Sequence, residues 1–426
     1  MIFIFPLAHA DDNLTIVAVG TAEKDSEKIS FILKNDSRLK PEENNQILQM
    51  LDIFKSDFEF YKSRFSIESR TSEARFIVNA EVKIVDKSIW AEFSLDDKKL
   101  NKQLYQSRQK VWMTNLRSFA HHMSNEFYKA IVGKDSIFKS KIVFVSDRTS
   151  PKNDIRKELY IMDFDGERKQ RLTFQNSFVI SPAISPDNNK IVFTLMDTEH
   201  KRSPRGGIMK IKNLNLYMLD LEKKNLKMIS NSQGINSGAI FNKTGDSIYL
   251  TLSKNKNADI YKMDLATRQL RRITNHFSED VDPHINADES LMTFLSGRPG
   301  KAMIYTMKPT STENEVKRIS FVGEFNAAPR FNPEGSEIVF SSWVDNRFDI
   351  YRIGSDGRNL VRLTKNFGSN EEPWYSPDGE FIVFSSQRIL SRKMAVQDLY
   401  IMDRNGEIIK KITSNYGKIF TPRWSN

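Results

Sequence analysis

Glu372-Pro373-Trp374-Tyr375-Ser376-Pro377-Asp378-Gly379, followed by Glu380-Phe381-Ile382-Val383-Phe384-Ser385-Ser386, is one copy of a unit that this 426-residue chain repeats. Pro377 presets φ for the second position of a tight turn, and Gly379 accepts the positive φ that ends it. The β-branched and aromatic run behind the turn reads as a strand. The same turn stands at Ser185–Asn188 (SPDN), Asn242–Gly245 (NKTG), Asn286–Glu289 (NADE) and Asn332–Gly335 (NPEG), each leading into a strand such as KIVFTL, SIYLTL, LMTFLS or EIVFSS. A tyrosine-bearing strand comes next (LYML, IYKM, IYTM, IYRI, LYIM). A closing triplet then ends each copy, at Thr173, Ser230, Thr274, Ser320, Thr364 and Thr413. These anchors lie 44 to 57 residues apart. A period of that size built from strands alone predicts the blades of an all-β propeller.

Six anchors predict six blades over residues 136–426. The first copy has only three strands before its anchor, namely Lys141–Val145, Leu159–Met162 and Arg168–Thr173. Its missing inner strand is supplied by Thr421-Pro422-Arg423-Trp424-Ser425-Asn426, which matches Glu372–Pro377. The ring is therefore expected to close by pairing its two ends, which removes an exposed sheet edge. Trp374 and Trp424 fall on inner strands and read as core.

Residues 11–135 read as a separate α/β domain. Leu14–Val19 is a short β-branched run that predicts a strand. Ile29, Ile32 and Leu33 within Glu27–Leu39 have helical spacing, and Ile47, Leu48, Leu51 and Phe54 suggest a second helix. Strands are expected at Phe76–Val85, Ser88–Leu95 and Gln103–Trp112, with Asp86-Lys87 as a hairpin turn. The clearest helix has Thr114 as its cap, an apolar stripe from Leu116 to Ile131, and Gly133 as its stop. His121 and His122 are adjacent on it, face different directions and read as solvated. Met1–Ala10 (MIFIFPLAHA) ends in a small-x-small pattern and is expected to be the remnant of a signal peptide.

The composition narrows the chemistry. With no cysteine, the chain forms no disulfide, thiolate zinc site or Fe–S cluster. It contains no GxSxG elbow, Walker A loop, HExxH or GxGxxG. No apolar run reaches the roughly 20 residues of a membrane span. The formal charge of +10 lies wholly in residues 136–426, because residues 1–135 carry 20 basic and 20 acidic side chains. Between the second and third strands of blade two, Asp197–Asn215 carries Lys201, Arg202, Arg205, Lys210 and Lys212 and reads as a solvated loop. It has no interleaved aromatics, so nucleic acid is not expected as a partner.

The repeat, together with Leu116–Asp147 (LRSFAHHMSNEFYKAIVGKDSIFKSKIVFVSD) and the terminal TPRWS, resembles the TolB family, periplasmic components of the Tol-Pal system. The resemblance implies an N-terminal α/β domain, a six-bladed propeller, a periplasmic location and no catalytic activity. It implies that the propeller binds the lipoprotein Pal and that an N-terminal segment engages TolA. That segment is represented here by Asp11–Gly20, with Asp11, Asp12, Leu14 and Ile16 as its contact residues. Other outer-membrane proteins are possible further partners, and a monomer is expected. The implied role is support of outer-membrane integrity and of constriction at division. Residues 11–75 match the family poorly. Met307-Lys308 and Ile353-Gly354 replace the Met-Asp of other blades.

The loops that run from each anchor to the next inner strand share one propeller face, and six such tips on a rigid ring suit a folded partner. The candidate contacts are Asn176, Phe178, Ile235, Asn236, Glu279, Asp280, Asp282, Phe325, Asn326, Asn370, Glu371, Glu372, Lys418 and Phe420. Phe178, Phe325 and Phe420 are candidate apolar anchors, and Asp280, Asp282, Glu371 and Glu372 are candidate partners for basic residues. No cofactor is expected, although carboxylates and carbonyls suffice for a Ca²⁺ in the channel. Two other readings remain at this point. One is a propeller hydrolase or lyase using His276 and His284 beside Asp280 and Asp282. The other is a peptide-binding propeller of the prolyl-peptidase type.

Overall fold

The computed structural model describes residues 26–202, 207–254, 256–391 and 394–425. The signal-peptide remnant, the Leu14–Val19 strand and the segment of Asp11, Asp12, Leu14 and Ile16 lie outside the described residues.

The N-terminal domain is a five-stranded sheet covered by two helices. In chain order its elements are β1 (Glu27–Asn35), α1 (Pro41–Phe60), β2 (Phe65–Ile67), β3 (Phe76–Val85), β4 (Ser88–Asp97), β5 (Lys102–Lys110) and α2 (Leu116–Val132), and the sheet order is β2-β1-β3-β4-β5. The helix expected over Glu27–Leu39 is instead strand β1. Ile29, Ile32 and Leu33 have helical spacing while Ile29, Phe31 and Leu33 alternate, and parallel pairing with both β2 and β3 decides for the strand. Helix α1 starts at Pro41, and the Glu43 carboxylate accepts the Lys40 N–H at 3.0 Å. It buries Ile47, Met50, Phe54 and Phe58. Asp86 and Lys87 both take positive φ, as a two-residue hairpin turn requires. Helix α2 stops at Gly133 in the left-handed conformation, but its N-cap position is Asn115, whose side chain makes no capping bond, and the expected cap Thr114 lies in the preceding 3₁₀ turn (Met113–Asn115).

Six four-stranded sheets form the propeller. Blade one pairs Ile419–Trp424 with Lys141–Ser146, then with Glu158–Asp163 and Gln170–Arg171. The closing register runs Ile419↔Ser146, Phe420↔Val145, Arg423↔Val143 and Trp424↔Ile142. Trp424 is buried, and its Nε1 donates to Ser140 Oγ at 2.7 Å.

The anchor triplets have a common physical role. The Thr or Ser hydroxyl accepts an N–H from the third strand: Leu159 to Thr173, Ile260 to Thr274, Ile304 to Ser320, Ile350 to Thr364 and Leu399 to Thr413, at 2.8–3.0 Å. In four blades the basic residue of the triplet pairs with a buried acid on the third strand. The pairs are Arg171–Glu158, Arg272–Asp259, Arg362–Asp349 and Lys411–Asp398, at 2.5–3.0 Å. Each triplet thus ties the outermost strand of its blade to the one inside it.

The Asp197–Asn215 insert is not a solvated loop. Its flanks continue the strands Lys190–Arg202 and Ile208–Asp220 as a ribbon paired as far as Arg202↔Ile208. A similar extension joins Phe381–Ser391 to Met394–Asp403 in blade six. The N-terminal domain shares a core with blades one and six. Phe60 meets Phe381 at 6.4 Å, and Phe138 in the connector meets Phe164 at 5.7 Å.

Candidate partner-binding face of the propeller

All six inner strands carry a bulge, and each bulge holds one residue at positive φ: Ser181, Gly238, Asp282, Ala328, Glu372 and Thr421, with φ of 45–62°. Five of these are not glycine, so the fold over-determines a conformation that side chains rarely adopt. The bulges ring the channel neck. There Arg330 and Arg423 both lie over the Trp374 ring, their guanidinium carbons 5.4 and 4.9 Å from its centroid, and His284 meets the same ring edge-on at 5.2 Å. Arg330 pairs with Asp282 at 2.8 Å and Arg423 with Glu372 at 3.0 Å. Arginines therefore hold both Asp282 and Glu372. Trp374 belongs to this plug and is only half-buried. The remaining space is about 10 Å³, room for about one water.

His284 is not poised for acid–base work. Its Nδ1 accepts the Phe331 N–H at 3.2 Å, and burial together with Arg330 and Arg423 holds its pKa well below the ordinary value. His276 has a different set of partners: its Nδ1 accepts the Ser278 N–H at 3.0 Å, and its ring lies against Phe277.

Four of the candidate contacts lie inside the blades. Asn236, Asp280, Asn326 and Asn370 each stand six residues after an anchor and two before the bulge residue, and all are buried. Asn236 donates to the Leu214 and Ser232 carbonyls at 2.8 and 2.6 Å and accepts the Ser232 N–H at 3.0 Å. Asn326 donates to the Val322 carbonyl at 3.0 Å and to Ser342 Oγ at 2.9 Å. Asn370 donates to Thr364 Oγ1 and Asp349 Oδ1 at 3.2 and 3.3 Å. Asp280 pairs with Arg298 at 2.9 Å, and burial pushes its pKa up to about 6. These side chains pin the loops from within.

What the face presents is different. Asn176, Ile235, Glu279, Phe325 and Lys418 are exposed, while Phe178, Asp282, Glu371, Glu372 and Phe420 are half-buried. Phe325 stacks on Trp343 at 5.6 Å, and Lys157 Nζ sits 3.7 Å from the centre of the Phe420 ring. Burial and the neighbouring Glu372 raise the pKa of Glu371.

Three aromatic residues that the sequence reading passed over stand out further. Phe174, Phe277 and Phe321 are 65, 86 and 74% exposed on these same loops. Arg171 and Arg318 lie over Phe174 and Phe321 at 4.4 and 4.5 Å. The usable signal was position: Phe174 and Phe321 directly follow an anchor, where the chain has left the blade.

At the domain junction His121 is buried and not solvated, whereas His122 is exposed. His121 Nδ1 lies 3.0 Å from both Asp57 oxygens, and Nε2 lies 3.8 Å from Asp165. Burial raises the Asp57 pKa against the opposing pull of His121. Ligand atoms of His121, Asp163 and Asp165 fall within 4.8 Å of one another. Arg117 contacts both of these aspartates, and Lys141 and Arg168 also hold Asp163, so the group is an ion-pair clasp between α2 and blade one. A cleft of about 540 Å³ opens beside it, lined by Asp57, Arg117, Asp165 and Lys410.

The family model described as the TolB beta propeller domain matches residues 128–426, most of the chain and all six blades. The chain belongs to the TolB β-propeller family. Curated relatives include the Tol-Pal system protein TolB of Pelagibacter ubique (strain HTCC1062), 30% identical over 49% of this chain and 43% of its own length. Another is the same-named protein of Orientia tsutsugamushi (strain Ikeda), 32% identical over 28% of this chain and 26% of its own. The aligned stretches thus span less than half the length of these TolB proteins. The crystal structure of TolB from Acinetobacter baumannii superposes with a TM-score of 0.75, covering 95% of this chain and 98% of that one at 23% identity. The TolB fold, an α/β domain followed by a closed six-bladed propeller, therefore extends over both domains described above.

Proposed function

We propose that this TolB-family chain is a non-catalytic periplasmic scaffold of the Tol-Pal system. Its propeller face holds the lipoprotein Pal, the segment Asp11–Gly20 engages TolA, and the assembly serves outer-membrane integrity and constriction at division. The observation that carries the reading is the pre-organised face. Buried Asn236, Asp280, Asn326 and Asn370 fix the loop backbones from inside the ring, so the exposed phenylalanines and charges are presented at little ordering cost. Family membership supplies the prior for the partners. The plugged neck, with room for about one water, supports the scaffold reading over a channel enzyme. Among the described residues no helix is long and apolar enough to cross a membrane.

Co-purification of the full chain with the soluble domain of Pal tests this reading. A stoichiometric complex that forms without turnover of any substrate is the expected result. Absence of a complex under low and physiological salt would remove the Pal assignment.

A further inference from the structure

In blades two and six the second and third strands run past the length used elsewhere in the ring. Pairing in blade two continues out to Arg202↔Ile208, and in blade six to Ser391↔Met394. The extensions are uncovered. Ile208 is 74% and Ile389 79% exposed, and Met209, Ile211, Leu390 and Met394 are exposed beside them. Neighbouring residues on a strand point to opposite faces, so each ribbon shows apolar side chains on both sides. The basic side chains Lys210, Lys212 and Arg388 are exposed among them. The sequence has five basic and no acidic residues over 201–212, and three basic and no acidic residues over 388–394.

Placement joins the two ribbons. In an up-and-down blade the turn between strands two and three lies on the same side of the ring as the loop leaving strand four. Both ribbons therefore rise from the face that carries Phe174, Phe277 and Phe321. The inner strand of blade one packs against both blade two and blade six, so the ribbons flank blade one.

We propose that the two ribbons form a bipartite anchor for the surface of a bilayer rich in anionic lipid. Five basic residues against Asp197 and Glu199 in the blade-two insert, and three against no acid over 388–394, select a negatively charged surface. Apolar residues on both faces of two separate narrow posts favour an interfacial layer, which can surround both at once, over a protein groove, which covers one side. Depth is limited, because a two-stranded ribbon has two open edges whose backbone groups stay hydrated. The ribbons therefore sink their isoleucine, leucine and methionine tips to the headgroup boundary and leave the basic groups at the phosphates. Two posts on one rigid ring make the second contact intramolecular and strengthen the first.

Flotation of the full chain with protein-free vesicles tests this, and it is independent of whether Pal binds. The probes are phosphatidylcholine vesicles and vesicles of phosphatidylcholine and phosphatidylglycerol in equal parts. The expected result is at least about tenfold stronger partitioning onto the anionic vesicles, weakened by salt. Ile389→Ser with Leu390→Ser, Ile208→Ser with Met209→Ser, and Lys210→Glu with Lys212→Glu should each lower partitioning about tenfold. Their melting temperatures should be unchanged, since these side chains face solvent. Failure of the wild type to float with anionic vesicles, or flotation of the ribbon variants at wild-type levels, overturns the proposal. Equal binding to duplex DNA or polyglutamate that survives the serine substitutions also overturns it, because that pattern describes a polyanion site without insertion.

Discussion

Tyr61 at the end of α1 donates its hydroxyl to the Asp378 carboxylate at 2.6 Å and accepts the Ile137 N–H at 3.1 Å. One side chain thus links the N-terminal domain, the connector and the Ser376–Gly379 turn of blade six. Burial and the facing Asp378 raise the tyrosine pKa, while burial raises that of Asp378. Tyr61→Phe leaves the ring in its cluster with Tyr128, Phe138 and Phe381 and removes only the hydroxyl. The expected cost is about 1–3 kcal/mol, because the buried Ile137 N–H loses its acceptor. Urea denaturation followed by domain-specific fluorescence should show the two domains separating earlier than in the wild type. Coincident, unshifted transitions would show that the link is energetically idle.

Ring closure depends on Phe420–Asn426. Their deletion opens one edge of blade one and uncovers Ile142, Val143 and Phe144, which are all buried. We expect cooperative melting to be lost. Trp424→Ala is the milder version, with an expected loss of about 3–5 kcal/mol from a fully packed aromatic. Calorimetry decides both, and a truncate that melts like the full chain would show that blade one closes without its fourth strand.

Asp280 carries a signed pH dependence. Folding raises its pKa from the ordinary 3.8 to about 6, so the folded chain binds this proton more tightly than the unfolded one. The contribution is full below pH 3.8 and is lost as pH rises through about 6. Asp280→Asn should remove that fall, about 3 kcal/mol, while Arg298 keeps its 2.7 Å pair with Glu313. Thermal melts across this pH range check it: a wild-type and variant pair with parallel profiles would assign the slope elsewhere.

The exposed phenylalanines should carry partner affinity without carrying stability. Phe277→Ser or Phe321→Ser is expected to leave the melting temperature within about 1–2 °C and to weaken Pal binding by at least tenfold, as central aromatic anchors do. Titration calorimetry reads the affinity. Unchanged binding in both variants would move the contact surface to the charged tips at Glu279 and Lys418.

The repeat made most of the propeller legible from sequence. Turn chemistry, strand runs and the anchor triplets are local signals, and the terminal TPRW showed where the ring closes. Strand β1 was not legible, because Ile29, Ile32 and Leu33 space helically while Ile29, Phe31 and Leu33 alternate, and only the neighbouring strands choose between the two sets. His121 was misread for a related reason: its burial comes from Asp57 and Asp165, far apart in sequence. On the face, the rule that hid Asn236, Asn326 and Asn370 is visible only afterwards. A polar residue six places beyond an anchor points inward, while an aromatic directly after the anchor points out. The ribbons escaped because a basic, glycine-containing insert looks like a loop until its two halves pair.

The Lys141 N–H donates to Ser425 Oγ at 2.8 Å across 284 residues of chain. A contact of that range cannot form until the whole chain has been made, so the first blade to emerge is the last to be finished. Until then Lys141–Ser146 offers an unsatisfied edge to any passing strand. Chaperone demand in this protein should therefore peak after synthesis is complete, and a stalled or clipped chain would be recognised as waste by that one open edge.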